Sequence, residues 1–210
     1  MPLTIEAIPC GPTQTNSYLL RNADACAVVD PGLGPEPLLE RIHEAGIAPA
    51  VVLLTHGHVD HIGGVAAVKE AFPAVEVVCP AGDAEFLSDP SLNMSRPFGW
   101  EMTAPPADRL VNPGDTLEAG GVSWNVLDTA GHTPGGVSFY APEHAVVLTG
   151  DALFAGSVGR TDLPQADTEQ LITSIGAALL TLPGDTRVLP GHGNETTIAR
   201  EKASNPFLQP

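Results

Sequence analysis

The sequence predicts an α/β fold in which two mixed β-sheets pack together with helices on the outside. Three observations carry this expectation. Short β-rich runs alternate with helical ones along the chain, and the two halves share a strands-then-helix rhythm. One strand candidate, at 50–55, is apolar almost without a break, as a strand covered on both faces must be. The 210 residues are 43% hydrophobic, enough for one domain with a real core that buries about 70% of its unfolded surface. A single domain over residues 1–210 is therefore expected, with no linker and no tandem repeat.

Residues 3–10, 17–20 and 26–30 read as strands, broken by turns at Gly11-Pro12 and Arg21-Asn22. A helix follows over 37–45, where Leu38, Leu39, Ile42 and Ala45 form a stripe at helical spacing and Gly46 closes it. After the buried strand, residues 61–72 form the next helix, stopped by Pro73, and 75–79 the strand after it. The pattern then lapses. Residues 89–107 hold four prolines and no clear period, with Met94, Phe98, Trp100 and Met102 scattered through them. Such a stretch serves either as a lid or cavity wall or as a surface loop pinned by Phe98 and Trp100. Strands resume near 121–128, 137–140 and 145–149. Asp167-Thr168-Glu169-Gln170 has the form of a capping box. It opens a helix carrying Leu171, Ile172, Ile175 and Leu179, which ends at Pro183-Gly184. A strand at 187–190 and a helix at 196–202 follow.

Acidic residues outnumber basic ones by 25 to 9, for a net charge of −16. Such a surface repels polyanions, which disfavours nucleic acid and anionic membranes as partners. No apolar run approaches the roughly 20 residues of a membrane span. The first residues also lack the basic and apolar regions of a secretory signal, so a cytoplasmic location is the expectation. Cys10, Cys26 and Cys79 are odd in number and lack CxxC spacing. They imply neither a disulfide framework nor a cysteine zinc site, and read as small buried apolar residues.

The histidines are concentrated. Three of the seven, with an aspartate, fall in Thr55-His56-Gly57-His58-Val59-Asp60-His61, directly behind the buried strand. Imidazoles and a carboxylate spaced this way on a strand-end turn converge on one spot, where zinc or iron takes N/O ligands at roughly 2.0–2.2 Å. Gly57 is expected to tighten the turn, and Gly63-Gly64 to let a helix N-terminus come close. A lone HxH would pass for solvated loop histidines; HxHxDH behind a buried strand does not. Three further segments place a polar side chain among glycines at a strand end: Gly131-His132-Thr133-Pro134-Gly135-Gly136, Thr149-Gly150-Asp151 and Pro190-Gly191-His192-Gly193.

With these strings in this order, the sequence resembles the metallo-β-lactamase superfamily, and more narrowly its glyoxalase II-like branch. The likeness runs from Thr15-Asn16-Ser17-Tyr18 and Asp30-Pro31-Gly32 through THGHVDH, GHTPGG and TGDALFAGSVGRTDLP to LPGHG and SNPFL. It implies a four-layer αββα sandwich with a metal centre at the sheet edges. By position, His56, His58 and His132 would hold one divalent ion and Asp60, His61 and His192 a second, with Asp151 bridging them. Zinc is the first expectation, with iron or manganese as alternatives. His43 and His144 fall outside the set and are expected to be structural or solvated. Such a centre makes water acidic and so provides the nucleophile, with Asp60 and Asp151 as the catalytic carboxylates and no role for the cysteines.

The resemblance further implies cleavage of glutathione thioesters of the S-lactoylglutathione type. The C-terminal helical glutathione-binding domain of longer members is not expected here, and Arg160, Arg200 and Lys202 are the basic candidates for substrate contact. Arg160 is alternatively an ion-pair partner, and Arg200 and Lys202 solvated surface. A mononuclear Fe(II) persulfide dioxygenase, using His56, His132 and Asp151, is the competing reading, and a lactonase or other hydrolase of this fold a further one. Oligomeric state is left open.

Overall fold

The computed structural model describes residues 3–209. The N-terminal half builds a six-stranded sheet whose spatial order follows the sequence: β1 (Thr4–Cys10), β2 (Thr15–Asn22), β3 (Ala25–Val29), β4 (Val51–Leu53), β5 (Glu76–Pro80) and β6 (Arg109–Val111). β1 to β3 form an antiparallel meander, and β3 to β6 run parallel. Parallel neighbours need crossovers. These are α1 (Glu36–Ala45) between β3 and β4, and α2 (Val59–Ile62) with α3 (Val65–Ala71) between β4 and β5.

The C-terminal half repeats the plan. β7 (Thr116–Ala119), β8 (Val122–Asp128), β9 (Val137–Ala141) and β10 (Val146–Gly150) run antiparallel. A small hairpin of β11 (Leu153–Phe154) and β12 (Ser157–Val158) follows, then α4 (Thr168–Ser174), lengthened by a π-helical turn at Ile175–Leu179. β13 (Arg187–Pro190) pairs parallel to β10, and β14 (Thr196–Thr197) closes that edge before α5 (Ile198–Ser204).

Side-chain alternation turns these sheets into four layers. Tyr18 and Leu20 of β2 enter the core between the sheets, whereas Leu19 faces the helices on the other side. In β4, Leu53 points inward and Val52 outward against the layer holding Leu38, Ile42, Ile62 and Val68. Neither face meets water, which is why this strand reads as continuously apolar. β10 does the same in the second sheet: Val146 and Leu148 point inward, and Val147 packs with Leu171, Ile175 and Leu179. Between the sheets lie the fully buried Trp124 and Phe139; burying a side chain such as Phe139 contributes about 1.5–3 kcal/mol. The result is the expected sandwich of two mixed sheets with helices outside. No helix among the described residues is long and apolar enough to cross a membrane.

Several elements differ from the sequence reading. The helix expected over 61–72 is two helices, with Gly63 and Gly64 between them. The last helix starts at Ile198 rather than 196, because Thr196 and Thr197 pair with Val188 and Arg187 as a strand. β6, β7 and the β11–β12 hairpin were not foreseen; at two to four residues they are too short for a period to show. The capping box is half present. Asp167 Oδ1 accepts from the Gln170 N–H at 3.0 Å, but the Asp167 N–H donates to the Gly131 carbonyl at 2.7 Å, which supplies a partner other than the Gln170 side chain. The three cysteines are free and buried, and burial pushes their thiols up, Cys26 to about 11.

Candidate metal centre

The ligand-bearing turn leaves β4 under tight backbone control. The Thr55 N–H donates to Asp30 Oδ1 at 2.7 Å and its hydroxyl to Oδ2 at 2.6 Å, fixing the turn to the end of β3. His58 is extended and serves as N-cap of α2, so Asp60 and His61 project from the first helical turn while His56 and His58 precede it. Gly57 has an ordinary negative φ; a Cβ there would collide with the Phe86 side chain, so close approach rather than a tightened turn requires glycine. The Gly57 N–H donates to Asp83 Oδ2 at 2.9 Å, and Asp83 Oδ1 accepts from the Gly135 N–H at 2.7 Å. The fully buried Asp83 carboxylate thus clamps the 55–61 turn to the loop carrying His132. Burial pushes its carboxyl above the ordinary range, opposed by these backbone hydrogen bonds.

His132, Asp151 and His192 arrive from the second sheet, after β8, β10 and β13. The His192 loop is held across the sandwich by β2. Asn16 Nδ2 donates to the carbonyls of Pro190 (3.0 Å) and Gly193 (2.9 Å), and the Tyr18 hydroxyl to that of Pro190 at 2.7 Å. At Gly191 a Cβ would strike the Asp151 carboxylate and the His61 ring, so only glycine lets this loop close on the cluster.

Four imidazoles have one nitrogen occupied by a protein group. His56 Nδ1 meets the Thr55 hydroxyl (3.1 Å), His61 Nδ1 meets Asp30 Oδ2 (2.9 Å), His132 Nδ1 meets the Arg160 carbonyl (2.8 Å) and His192 Nδ1 meets the Thr13 carbonyl (3.2 Å). Each partner orients the ring so that Nε2 is the nitrogen left for the cluster. His58 differs, turning Nδ1 toward His132 Nε2 at 2.9 Å.

The ligand atoms of His56, His58 and His132 all lie within 4.8 Å of one another, as do those of Asp60, His61 and His192. Asp151 sits between the groups: Oδ1 is 3.3 Å from His61 Nε2, and Oδ2 is 3.6 Å from His132 Nε2 and 3.5 Å from His192 Nε2. Asp60 Oδ2 lies 3.2 Å from His192 Nε2. The ligand atoms of Asp30, His56 and His61 are likewise within 4.8 Å of one another, but the Asp30 carboxylate is engaged by Thr55 and by His61 Nδ1.

Divalent ions fit this donor set. Two nitrogens bound tetrahedrally at 2.0–2.1 Å lie about 3.3 Å apart, close to the spacings found. His56 Nε2, His61 Nε2 and Asp151 Oδ1 are buried with no hydrogen-bond partner in the protein, a costly state that a cation relieves. Burial and the neighbouring imidazoles push His56 well down and His58 to about 3, favouring the neutral, ligating forms. Burial opposes ionisation of Asp60 and Asp151, but His61 and its neighbours outweigh it and hold both carboxylates below their ordinary range.

The cluster floors a cavity of about 640 Å³. Arg160 lines it and forms a bidentate pair with Asp162, both bonds at 2.8 Å; its guanidinium is an exposed ion-pair partner, while its carbonyl orients His132. Arg200 and Lys202 lie on α5 and do not line the cavity, so the structure does not bring them to the site. Met94, Phe98 and Trp100 do line it. Phe98 and Trp100 do not pin their loop: they are 64% and 44% exposed, and the buried Asn93 and Ser95 hold it instead. His43 caps back onto the Leu39 carbonyl and, like His144, is exposed. Sequence reading missed Asp83 altogether and gave Asp30 no role. Asp30 carried a signal in the Asp-Pro-Gly string, whereas Asp83 carried none.

The model of the metallo-β-lactamase superfamily matches residues 10–192. The chain is 43% identical to the probable metallo-hydrolase YqgX of Bacillus subtilis, over 96% of this chain and 95% of that protein. It is 40% identical to the hydroxyacylglutathione hydrolase GloC of Haemophilus influenzae, over 98% of each. Among solved structures, the BLEG-1 B3 metallo-β-lactamase superposes with a TM-score of 0.94 at 42% identity, covering 99% of this chain and 100% of that one. TTHA1623 in a di-iron-bound form gives 0.86 at 41% identity, covering 97% and 100%. With the sandwich, the paired histidine clusters and these matches together, the chain belongs to the metallo-β-lactamase superfamily.

Proposed function

We propose that the protein is a dinuclear metallohydrolase that cleaves thioesters of the hydroxyacylglutathione type, RC(O)SR′ + H₂O → RCOOH + R′SH. The observation that carries this reading is the convergence of seven donor side chains from both sheets, with Asp151 between two three-residue groups, at the floor of an open cavity. His56, His58 and His132 would hold one divalent ion, and Asp60, His61 and His192 the other, with Asp151 facing both. When bound, such ions supply Lewis acidity that lowers the pKa of water and polarises a carbonyl.

The rest falls to the chain. Asp60 lines the cavity with Oδ2 3.2 Å from His192 Nε2, so its carboxylate stands where it can accept a hydrogen bond from, and so orient, the attacking water. A thiolate leaves without help, because thiols ionise near pH 8.5; a cavity lined, among the described residues, by no tyrosine, lysine or cysteine suits a thioester better than an amide. The 40% likeness to a hydroxyacylglutathione hydrolase supports the substrate class, and the likeness to a di-iron structure keeps iron beside zinc as the metal.

The test is elemental analysis of the purified protein with paired assays of S-lactoylglutathione cleavage and of O₂ uptake on glutathione persulfide. Two metals per chain and cleavage, lost at least 10³-fold in His56→Ala and Asp151→Asn, are expected. About one iron per chain with O₂ consumption would overturn the reading in favour of a persulfide dioxygenase.

A further inference from the structure

We propose that the substrate carries a bulky apolar group, aromatic or alkyl, seated against Met94, Phe98 and Trp100. This rests on the thioesterase reading and narrows it. Large aromatic side chains exposed together are uncommon on a soluble surface unless they contact something. Phe98 and Trp100 are exposed, with ring centroids 6.2 Å apart, on a chain only 5% aromatic.

Their placement is built. Asn93 is fully buried; its side-chain amide donates to the carbonyls of Phe86 at 3.0 Å and Met102 at 2.9 Å, and its own carbonyl accepts from the Val59 N–H at 2.8 Å. Val59 opens the helix that carries Asp60 and His61. The aromatic rim is therefore registered on the donor cluster through one short hydrogen-bonded path, as a specificity wall must be to orient a substituent on a reacting carbonyl. Leu33, Phe154, Val158 and Leu163 continue the apolar lining. Among the described residues Arg160 is the only Lys or Arg lining the cavity, and Asp162 already engages it twice. The cavity thus has more to offer apolar surface than carboxylates.

The apolar group can lie on the acyl or the thiol side of the scissile bond, and two substrate series separate these. One varies the acyl group on glutathione (lactoyl, hexanoyl, phenylacetyl); the other varies the thiol of lactoyl thioesters (glutathione, benzyl mercaptan). We expect kcat/KM to rise at least tenfold from the smallest to the largest apolar group in one series, about three- to fourfold per buried methylene. That ratio should collapse toward one in Phe98→Ser and Trp100→Ser.

A second readout needs no turnover: S-hexylglutathione should bind the metal-free chain at least tenfold tighter than S-methylglutathione. It should shift a tryptophan emission that Trp100→Phe removes, since the remaining Trp124 is fully buried. Flat ratios in both series with equal thioether affinities would overturn the inference while leaving the thioesterase reading intact. So would a Phe98→Ser effect confined to oligomeric state, which would make the rim a contact between copies. If no thioester were cleaved, the thioesterase reading would fail, and the thioether affinities would still decide whether this wall binds apolar groups.

Discussion

The two halves of the sandwich repeat one plan yet supply the donor cluster in opposite ways. The first sheet delivers His56, His58, Asp60 and His61 from one turn behind β4. The second delivers His132, Asp151 and His192 singly, from three loops far apart in sequence. The concentrated turn is oriented mainly by side chains, Asp30 and Asp83, acting on its backbone and on His61. Among the dispersed donors, the two histidines are oriented mainly by backbone carbonyls, of Arg160 and Thr13, and the His192 loop by the Asn16 amide. A local motif can be tuned by substituting one residue, whereas a dispersed one is tied to the packing of the whole sandwich.

The contrast is sharpest at Asp83, where the two halves meet through one carboxylate. Asp83→Ala would leave the buried Gly57 N–H and the part-buried Gly135 N–H without acceptors, at about 1–3 kcal/mol for the fully buried group and less for the other. We expect urea unfolding of the metal-free chain to show about 2–4 kcal/mol lost, with faster metal release from the loaded protein. Asp83→Asn retains one acceptor oxygen and should lose about half as much. A loss below about 1 kcal/mol in Asp83→Ala would mean that the turn and the His132 loop hold their places independently.

This same division decided what could be read from the residues. Four donors in a seven-residue string behind an apolar strand announce themselves, and His132, Asp151 and His192 are legible only through their joint order among glycines. Carbonyl anchors at Thr13 and Arg160 leave no trace, because every residue has a carbonyl and only the fold decides where it points. Asp83 is one acidic residue among 25, and its role depends on Gly57 and Gly135 meeting from opposite halves. Among the strands, those with a buried face showed their apolar pattern, such as β2 and β4. β11 and β12 hold two residues each and are set by hairpin closure. For the loop at 89–107, reading Phe98 and Trp100 as anchors followed from their size; Asn93 and Ser95 are the buried pins, because burial there satisfies backbone groups.

A narrower break separates the two groups of donors. Asp30 bonds to His61 and to Thr55, but to neither His132 nor His192. In Asp30→Asn the amide can still accept from the Thr55 N–H, but it presents an N–H₂ toward the Thr55 hydroxyl or His61 Nδ1. His61 then loses the acceptor that fixes its ring, and loss of such an outer carboxylate weakens metal binding about 10–100-fold. Titration against a competing chelator should show this weakening for one of two ions, that held with Asp60 and His192, and a smaller change for the other. Equal weakening of both would place the control in Asp151 rather than in the Asp30–His61 pair.

The smallest effect tests whether the dispersed half depends on side chains at all. Asp167 caps α4 with its carboxylate, while its backbone N–H bonds to the Gly131 carbonyl beside His132. A Cβ on Gly131 would collide with Leu171 of that helix, so the loop and the helix start are in direct contact. Asp167→Ala removes the cap and keeps the backbone bond. The expected cost is about 1 kcal/mol, seen as a shifted urea midpoint with unchanged slope, with metal affinity and turnover held within twofold. Because the bond to Gly131 needs no side chain, helix stability and His132 placement should separate in this variant. A parallel fall in metal affinity would show that the His132 loop is positioned by the helix cap as well as by the carbonyl of Arg160.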